Sequence, residues 1–425
     1  MQILNRKIAP QFKIIDTIPI FKADQQTLDN GIPVYVVNLG DQDVIKVEIA
    51  FDAGIWYQTK NLVAGTVIDL INEGTSNATS AEIAEQLDYY GAYLSLDIGK
   101  HSSYITLYTL NQFFEPTIAI IEDIIKNAIF PDKEITTYLL NRKQQYIINR
   151  QKVDKIANKA FHTALFGANH PYGKHAELND FSDITSSELM QFYKKYYISN
   201  NCRIMLAGKY TAKHLEILNT YLGATDWKGS DIITPNYEII TSPEKSIYIE
   251  KTDAVQSALR LGKVMFNKTH PEWPGLQIVN TILGGYFGSR LMTNIREDKG
   301  FTYGIHSALS SYTDSGYFVI SSEVGKNTIS EAITEIKKEM KLLRTEKVES
   351  DELDLVRNYL MGEMLQAFDG PMSISDTIRS VIDFKLGYEY FDTFIHEIKH
   401  ITPEKIQFLA NTYFHEDTLI EVVAG

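Results

Sequence analysis

The chain has 425 residues, of which 44% are hydrophobic and 11% are aromatic. This apolar content excludes a disordered or low-complexity protein, and the length predicts two domains. The 41 lysines and arginines against 54 aspartates and glutamates give a net charge of −13, which disfavours nucleic-acid binding because phosphates would be repelled on average.

The sequence also bears on where the protein works. It contains no run close to the about 20 apolar residues that a membrane-spanning helix needs. Charged residues alternate with apolar ones over residues 1–21, where a signal peptide would have an apolar block. We therefore expect a protein without a membrane span that works in the cytoplasm, with the periplasm as the alternative. Cys202 is the only cysteine, which excludes a disulfide or a thiolate zinc site within the chain.

Turn and capping signals predict an alternation of strands and helices. Asn30-Gly31 favours a hairpin turn, and Thr79 with Glu82 has the spacing of a capping box before a helix that should end at Gly91. Periodicity predicts strands over 34–37, 44–51, 93–98 and 103–110, and helices over 62–71, 114–129 and 134–151. The first half therefore has the order strands, helices, strands, helices.

The second half repeats this order. Placing Ile184 against Ile401, an offset of 401 − 184 = 217, gives a gapless pairing that runs until Gly208 meets Gly425. Both segments predict a helix that starts at a threonine, an aromatic exit and a strand that ends in Ala-Gly. This pairing favours a duplicated domain, and chance similarity between two helix-strand units is the alternative.

Residues 223–244 separate the two halves. They contain two prolines and two glycines among polar residues with little periodicity, which is typical of a linker. We therefore predict an N-terminal domain over 1–222 and a C-terminal domain over 245–425. The fold class is α+β, with two tandem, structurally repeated domains that each have a mainly antiparallel sheet covered by helices.

Five segments carry a resemblance to a known family. They are N-E-G-T (72–75), T-S-A-E-I-A-E-Q-L (79–87), H-P-Y-G (170–173), G-G-Y-F-G-S-R-L (284–291) and I-R-E-D-K-G-F-T-Y (295–303). In this order the chain resembles the pitrilysin/insulinase metallopeptidases, especially their processing-peptidase-like branch. The resemblance covers nearly the whole chain, and it implies that the two domains face each other as one half of a clam-shell.

The resemblance also implies where zinc ligands should lie. Active members of the family carry an inverted zinc motif, H-x-x-E-H, on the helix just before the Gly-Thr pair. Two imidazoles four residues apart hold the zinc there, and the glutamate is the general base for the bound water. The corresponding positions here run from Gly65 to Asp69, with Ile68 at the place of the glutamate. Neither histidine nor the glutamate is present, so this zinc motif is degenerate.

The third zinc ligand of the family is also missing. It is a glutamate on a later helix, and the sequence has no glutamate between Glu134 and Glu177. Gln144, Gln145 and Tyr146 occupy the expected neighbourhood. We therefore expect this chain to bind no metal.

The second half keeps a different family feature. Family members have an arginine and a tyrosine seven residues apart that reach the bound peptide, and 303 − 296 = 7 separates Arg296 from Tyr303. A guanidinium and a phenol suit a substrate carbonyl that becomes an oxyanion. By resemblance these two residues bind substrate, and the alternative is a surface charge and a strand aromatic without function.

A literal H-E-x-x-H motif occurs at His396, Glu397 and His400. On an exposed helix near a third ligand it would make the chain an active zinc peptidase. However, Thr402-Pro403 starts a new helix directly after it, so the motif lies in a last helical turn. Histidines in a last turn have a structural explanation, because they cap free carbonyls and favour the negative end of the helix dipole.

The sequence thus predicts a non-catalytic, substrate-binding subunit of a heterodimeric zinc peptidase. Its partner would be a family member with an intact H-x-x-E-H, which brings the zinc, and its substrates would be unfolded or extended peptides. One alternative is a purely structural scaffold. The other is an active peptidase that uses His396, Glu397 and His400.

Overall fold

The computed structural model of the protein describes residues 15–425. The first half of this range contains β1 (Asp24–Thr27), β2 (Pro33–Asn38), β3 (Val44–Phe51), α1 (Val63–Leu70), α2 (Ser80–Tyr89), β4 (Tyr93–Ile98), β5 (Ser103–Leu110), α3 (Phe114–Asn127), α4 (Asp132–Asn149), α5 (Val153–Phe166), α6 (Ser186–Tyr196), β6 (Cys202–Gly208) and α7 (Ala212–Leu222).

The second half follows the same plan. It contains β7 (Ser246–Ile249), β8 (Gln256–Met265), α8 (Trp273–Asn280), β9 (Thr302–Ser311), β10 (Gly316–Gly325), α9 (Ile329–Thr345), α10 (Ser350–Ala367), α11 (Pro371–Ile382), α12 (Glu389–His400), α13 (Pro403–Tyr413) and β11 (Ile420–Ala424). Residues 223–244 form neither helix nor strand. The domain boundaries proposed at 222 and 245 stay a prediction.

The strands form two sheets with matching topology. The first sheet has the order β1-β2-β6-β3-β5-β4, and the second has the order β7-β11-β8-β10-β9. In each sheet, the last strand of that half of the chain is parallel to one neighbour and antiparallel to the other. Strand β6 is parallel to β2 and antiparallel to β3. Strand β11 is parallel to β7 and antiparallel to β8. The predicted α+β class with two repeated sheets is confirmed, and β1 is the one strand of the first sheet without a counterpart in the second.

Local signals explain where several elements begin. Gly31 has φ +94° in the turn before β2, which glycine adopts without strain. The Thr79 hydroxyl accepts a hydrogen bond from the Glu82 N–H at 3.3 Å, and the Glu82 carboxylate accepts one from the Thr79 N–H at 2.8 Å. The predicted capping box therefore forms. Thr185 forms a second capping box at the start of α6, and the Thr402 hydroxyl caps α13 by accepting a hydrogen bond from the Lys405 N–H. Both helices of the repeat at the 217 offset therefore start at a threonine cap.

Each half contributes one helix to the other half's sheet. Helix α5 packs on β8 and β11 of the second sheet, and α11 packs on β6 and β2 of the first. Apolar residues of the second sheet, including Ala258 and Ile420, belong to the same core as the first half. Burial of this shared apolar surface stabilises the two halves as one unit.

The lengths and compositions of the helices bear on whether the chain could cross a membrane. Between residues 15 and 425, no helix is both long enough and apolar enough to cross a bilayer.

Candidate functional site

The degenerate zinc motif lies on α1, as the sequence predicts. Gly65 offers no side chain, and Ile68 is fully buried in the hydrophobic core of the first half. The Asp69 carboxylate is half-buried and accepts a hydrogen bond from the Tyr138 hydroxyl of α4. Burial, together with this bond to a carboxylate, raises the pKa of Tyr138, so the phenol stays protonated and remains a donor.

The neighbouring positions of α4 do not supply a metal ligand set either. Gln145 and Tyr146 line a cleft beside α5, and Arg142 stacks on the Tyr138 ring with its Cζ 5.7 Å from the ring centroid. Zinc in proteins takes three or four ligands from histidine, cysteine or carboxylates. One carboxylate that is already engaged by a phenol, next to an arginine, does not fit a zinc ion.

The second zinc motif forms the last turn of α12. The His396 and His400 rings are exposed and stacked, with centroids 4.2 Å apart, and His400 Nδ1 donates to the His396 carbonyl oxygen at 2.8 Å. Glu397 points the other way, toward Gly275 of α8. Within residues 15–425, no cluster of three or more His, Cys, Asp or Glu side chains could hold a metal ion. In this last turn the His400 imidazole is a carbonyl partner.

Arg296 lies on a π-helical segment, Met292–Asp298, that precedes β9. Its guanidinium stacks on Phe287 with Cζ 4.6 Å from the ring centroid, and the nearest carboxylate, Glu297, is 4.0 Å away. The side chain keeps 34% of its surface exposed. Because it is neither buried nor held in a close ion pair, the guanidinium is accessible to a ligand.

Tyr303 lies near the start of β9, at the outer edge of the second sheet. It is 92% exposed and borders a groove of about 320 Å³. A β-bulge in β9 places Tyr303 and Gly304 opposite the single residue Glu323 of β10, and the Thr302 hydroxyl donates to the Glu323 carbonyl oxygen at 2.7 Å. Bulges re-aim side chains at strand edges, and here the phenol is presented to solvent. Within residues 15–425, no side-chain hydrogen bond joins Tyr303 to Arg296.

The same groove contains polar residues that the sequence analysis did not single out. Arg260 of β8, Ser321 of β10 and His306 of β9 are paired side by side across the three strands, so they share one face of the sheet. Burial lowers the pKa of Arg260. Burial also lowers the pKa of His306, so its imidazole is neutral at physiological pH. The sequence does show polar residues at these positions of otherwise apolar strands, and this was a signal for a site. It does not show the strand register that brings these residues side by side.

Comparisons with known proteins show what this chain is similar to. Residues 183–360 match the family model described as "Peptidase M16 inactive domain". This segment is similar to the peptidase M16 family. The resemblance to the pitrilysin/insulinase metallopeptidases that the sequence predicts is thereby confirmed, and the match supports a non-catalytic role for the M16 segment.

Relatives extend the similarity over most of the chain. An uncharacterized zinc protease of Bacillus subtilis, YmxG, is 22% identical over 403 residues, which are 94% of this chain and 97% of the relative. A Helicobacter pylori protein described as a non-peptidase homolog is 22% identical over 370 residues, covering 85% of this chain and 84% of its own. The crystal structure of a peptidase M16 inactive domain from Pseudomonas fluorescens superposes with a TM-score of 0.86 at 22% identity, over 95% of this chain and 98% of that one. The M16 fold thus extends across both halves.

Proposed function

We propose that this chain is the non-catalytic, substrate-binding subunit of a heterodimeric zinc peptidase. A partner of the same family with an intact H-x-x-E-H would provide the zinc and the general base. This chain would bring Arg296 and Tyr303 to the peptide that the partner cleaves. The protein is expected to hydrolyse nothing on its own.

The observation that carries the proposal is the contrast between the two halves. In the first half, Gly65, Ile68 and Asp69 replace the metal-binding side chains, and the one remaining carboxylate is engaged by Tyr138. In the second half, Arg296 and Tyr303 both keep accessible polar groups. Loss of the metal site with retention of the substrate pair is the pattern expected of a subunit that assists in catalysis.

The chemistry of the pair supports this division of labour. A guanidinium is permanently charged and offers a planar set of donors, while a phenol adds one directional donor. Such groups stabilise the oxyanion of a peptide hydrolysis most when they are fixed before the reaction. Phe287 holds the Arg296 guanidinium from one side, which limits its motion without using its donors.

An extended substrate also fits the free sheet edges. Strands β4 and β9 are the outermost strands at corresponding ends of the two sheets. An unpaired strand edge offers N–H and C=O groups to a peptide that adds as a further strand. Tyr303 lies on β9, so a peptide at this edge would lie within reach of the phenol.

The test is a two-component peptidase assay. The chain alone should cleave no unfolded peptide, and mixing with a family member that carries an intact H-x-x-E-H should give cleavage. In this mixture, Arg296→Ala should lower kcat/KM by about 100-fold, the scale measured when one oxyanion donor is removed. Tyr303→Phe should lower it by about tenfold.

Lys338→Ala is the matched control, because it removes an exposed cation of α9 that pairs with Glu335 at 3.4 Å. It should leave kcat/KM unchanged. Full activity of the Arg296→Ala mixture would contradict the assigned role. If that mixture also assembles normally, the scaffold alternative would replace the proposal.

A further inference from the structure

The two halves differ at one sheet edge. Strand β2 of the first sheet is covered on its outer side by β1, which pairs with it antiparallel over four residues. The equivalent strand of the second sheet is β7, which is parallel to β11 just as β2 is to β6. On its other side β7 has no strand partner within residues 15–425. The duplicated architecture therefore leaves one strand position empty.

The backbone of β7 is oriented to use that position. The Lys245 and Ile249 carbonyl oxygens accept hydrogen bonds from Glu421 and Gly425 of the β11 side at 2.8 and 3.0 Å. Backbone groups alternate in direction along a strand, so Ile247 faces β11 like these two acceptors, and every second residue faces the opposite way. The N–H and C=O groups of Ser246 and Tyr248 therefore point to the free edge.

A cleft lies beside this edge. It has a volume of about 980 Å³ and is enclosed by α4, α5 and β7, with Ile247 and Ile249 supplying apolar wall. A smaller cavity of about 410 Å³ shares Arg150 and Ile156 with it and continues past the end of β7. Together they form a groove along the strand that can accommodate the side chains of an extended segment.

The charge of the large cleft differs from that of the protein. Although the chain has a net charge of −13, four cationic side chains line the cleft against one carboxylate, Glu177. The cations are Arg142, Arg150, Lys155 and Lys159. Lys159 pairs with Glu177 at 2.5 Å and Lys155 pairs with Asp154 at 3.3 Å, which leaves Arg142 and Arg150 without an ion pair among the described residues. A ligand with carboxylates matches this surface.

We propose that the outer edge of β7 binds an acidic peptide in extended conformation as an added strand. Its backbone pairs with Ser246 and Tyr248, and its carboxylates contact the basic wall of the cleft. The chain's own residues 1–14 do not match, because they contain three cations and no carboxylate. The site is separate from the Tyr303 edge, since β7 and β9 are at opposite ends of the second sheet.

Fluorescence anisotropy of the full chain alone tests the proposal, and no partner subunit is needed. The probes are a labelled peptide that alternates aspartate with valine and a peptide of equal length with lysine in place of aspartate. We expect the acidic peptide to bind and the basic one to bind at least about tenfold more weakly. Added salt should weaken the acidic complex.

Two variants test the two parts of the site. Ser246→Pro removes an N–H that faces away from β11, so the existing ladder stays intact while strand addition is blocked. Arg150→Glu reverses one cation of the cleft. Each should weaken acidic-peptide binding by about tenfold or more. The control for the strand is Ser246→Ala. The control for the cleft is Lys133→Glu, because the Lys133 side chain lies at the other end of α4 and is 87% exposed. Both control variants should bind the acidic peptide with an affinity within about twofold of the wild type.

The proposal is overturned by any of three results. These are no binding of the acidic peptide, equal binding of the basic peptide, or undiminished binding by Ser246→Pro with a wild-type Tm. If Ser246→Pro does not fold, the comparison of Arg150→Glu with Lys133→Glu decides, and equal affinities for these two variants overturn the proposal. Because no cleavage is measured, these results are independent of the two-component peptidase assay.

Discussion

Asp69, which the resemblance aligns with a zinc ligand, has a structural role in this protein. Its carboxylate joins α1 to α4 through the Tyr138 hydroxyl. Tyr138→Phe removes this bond, and a hydrogen bond to a charged group contributes about 1.5–3 kcal/mol. We expect the free energy of unfolding to fall by about 2 kcal/mol in urea titrations followed by tryptophan fluorescence.

The control is on the same helix. The Tyr146 hydroxyl contacts Glu177 only at 3.4 Å on the exposed surface, so Tyr146→Phe should change the unfolding free energy by less than about 0.5 kcal/mol. An equal effect of the two substitutions would contradict the assignment of a stabilising role to the Asp69 contact.

His175 should give the protein a pH dependence in the acid range. Burial, with the nearby His162 and Lys100, lowers its pKa from 6.5 to about 4, and its Nε2 has no hydrogen-bond partner within the described residues. The unfolded chain takes up a proton near pH 6.5, whereas the folded chain does so only near pH 4. Stability is therefore complete above pH 6.5 and is lost as the pH falls toward 4.

His175→Gln should remove this contribution. Between pH 6.5 and 4 we expect the unfolding free energy of the wild type to fall by about 1–2 kcal/mol more than that of the variant. The measurement is a series of urea titrations across this range. Parallel pH profiles for the two proteins would rule out a buried neutral imidazole at this position.

At the scale of elements, α11 is held on the first sheet by buried charges. The Glu48 side chain of β3 is 3% exposed and contacts Arg379 of α11 at 2.6 Å and Lys46 at 3.4 Å. Arg203 of β6 adds an ion pair with Asp383, the residue that follows α11, at 2.7 Å. Removing one partner of a buried pair leaves the other charge poorly compensated.

Arg379→Ala should therefore destabilise the protein by about 3 kcal/mol, as judged by denaturant unfolding. Lys347→Ala breaks an ion pair of similar length, 2.8 Å to Glu404, but both side chains are about 60% exposed. That control should cost less than about 1 kcal/mol. Similar losses for the two variants would mean that the buried network does not hold α11 in place.

The elements also show what sequence reasoning can reach. Strands β4 and β5 coincide with the predicted 93–98 and 103–110, because alternation and turns are local signals. The roles of α5 and α11 were not predicted, since each packs on a sheet whose strands lie in the other half of the chain. Local periodicity says that a helix has an apolar face but not which sheet covers it.

In the candidate site, too, some features follow from local sequence and others depend on long-range strand pairing. The assignment of Gly65, Ile68 and Asp69 to the family's zinc motif could be made from sequence because the motif is a contiguous stretch, and it stays a prediction. The polar row of Arg260 and His306 could not, because it depends on the pairing of three strands.

At the scale of the whole molecule, the two halves share one strand order but differ in their features. The first sheet has the additional strand β1, and the second has the Tyr303 groove and a β7 edge that is unpaired within residues 15–425. We propose that the first half has lost the means to hold zinc while the second keeps accessible polar groups for a substrate. The central claim is that this chain assists a hydrolysis that another subunit performs.

The zinc content of the purified chain, measured by mass spectrometry together with peptide hydrolysis by the same sample, tests this claim most directly. The account predicts far less than one zinc per chain and no hydrolysis until a partner with intact ligands is added. One zinc per chain that is lost in Asp69→Ala or His400→Ala, with hydrolysis by the chain alone, would contradict it.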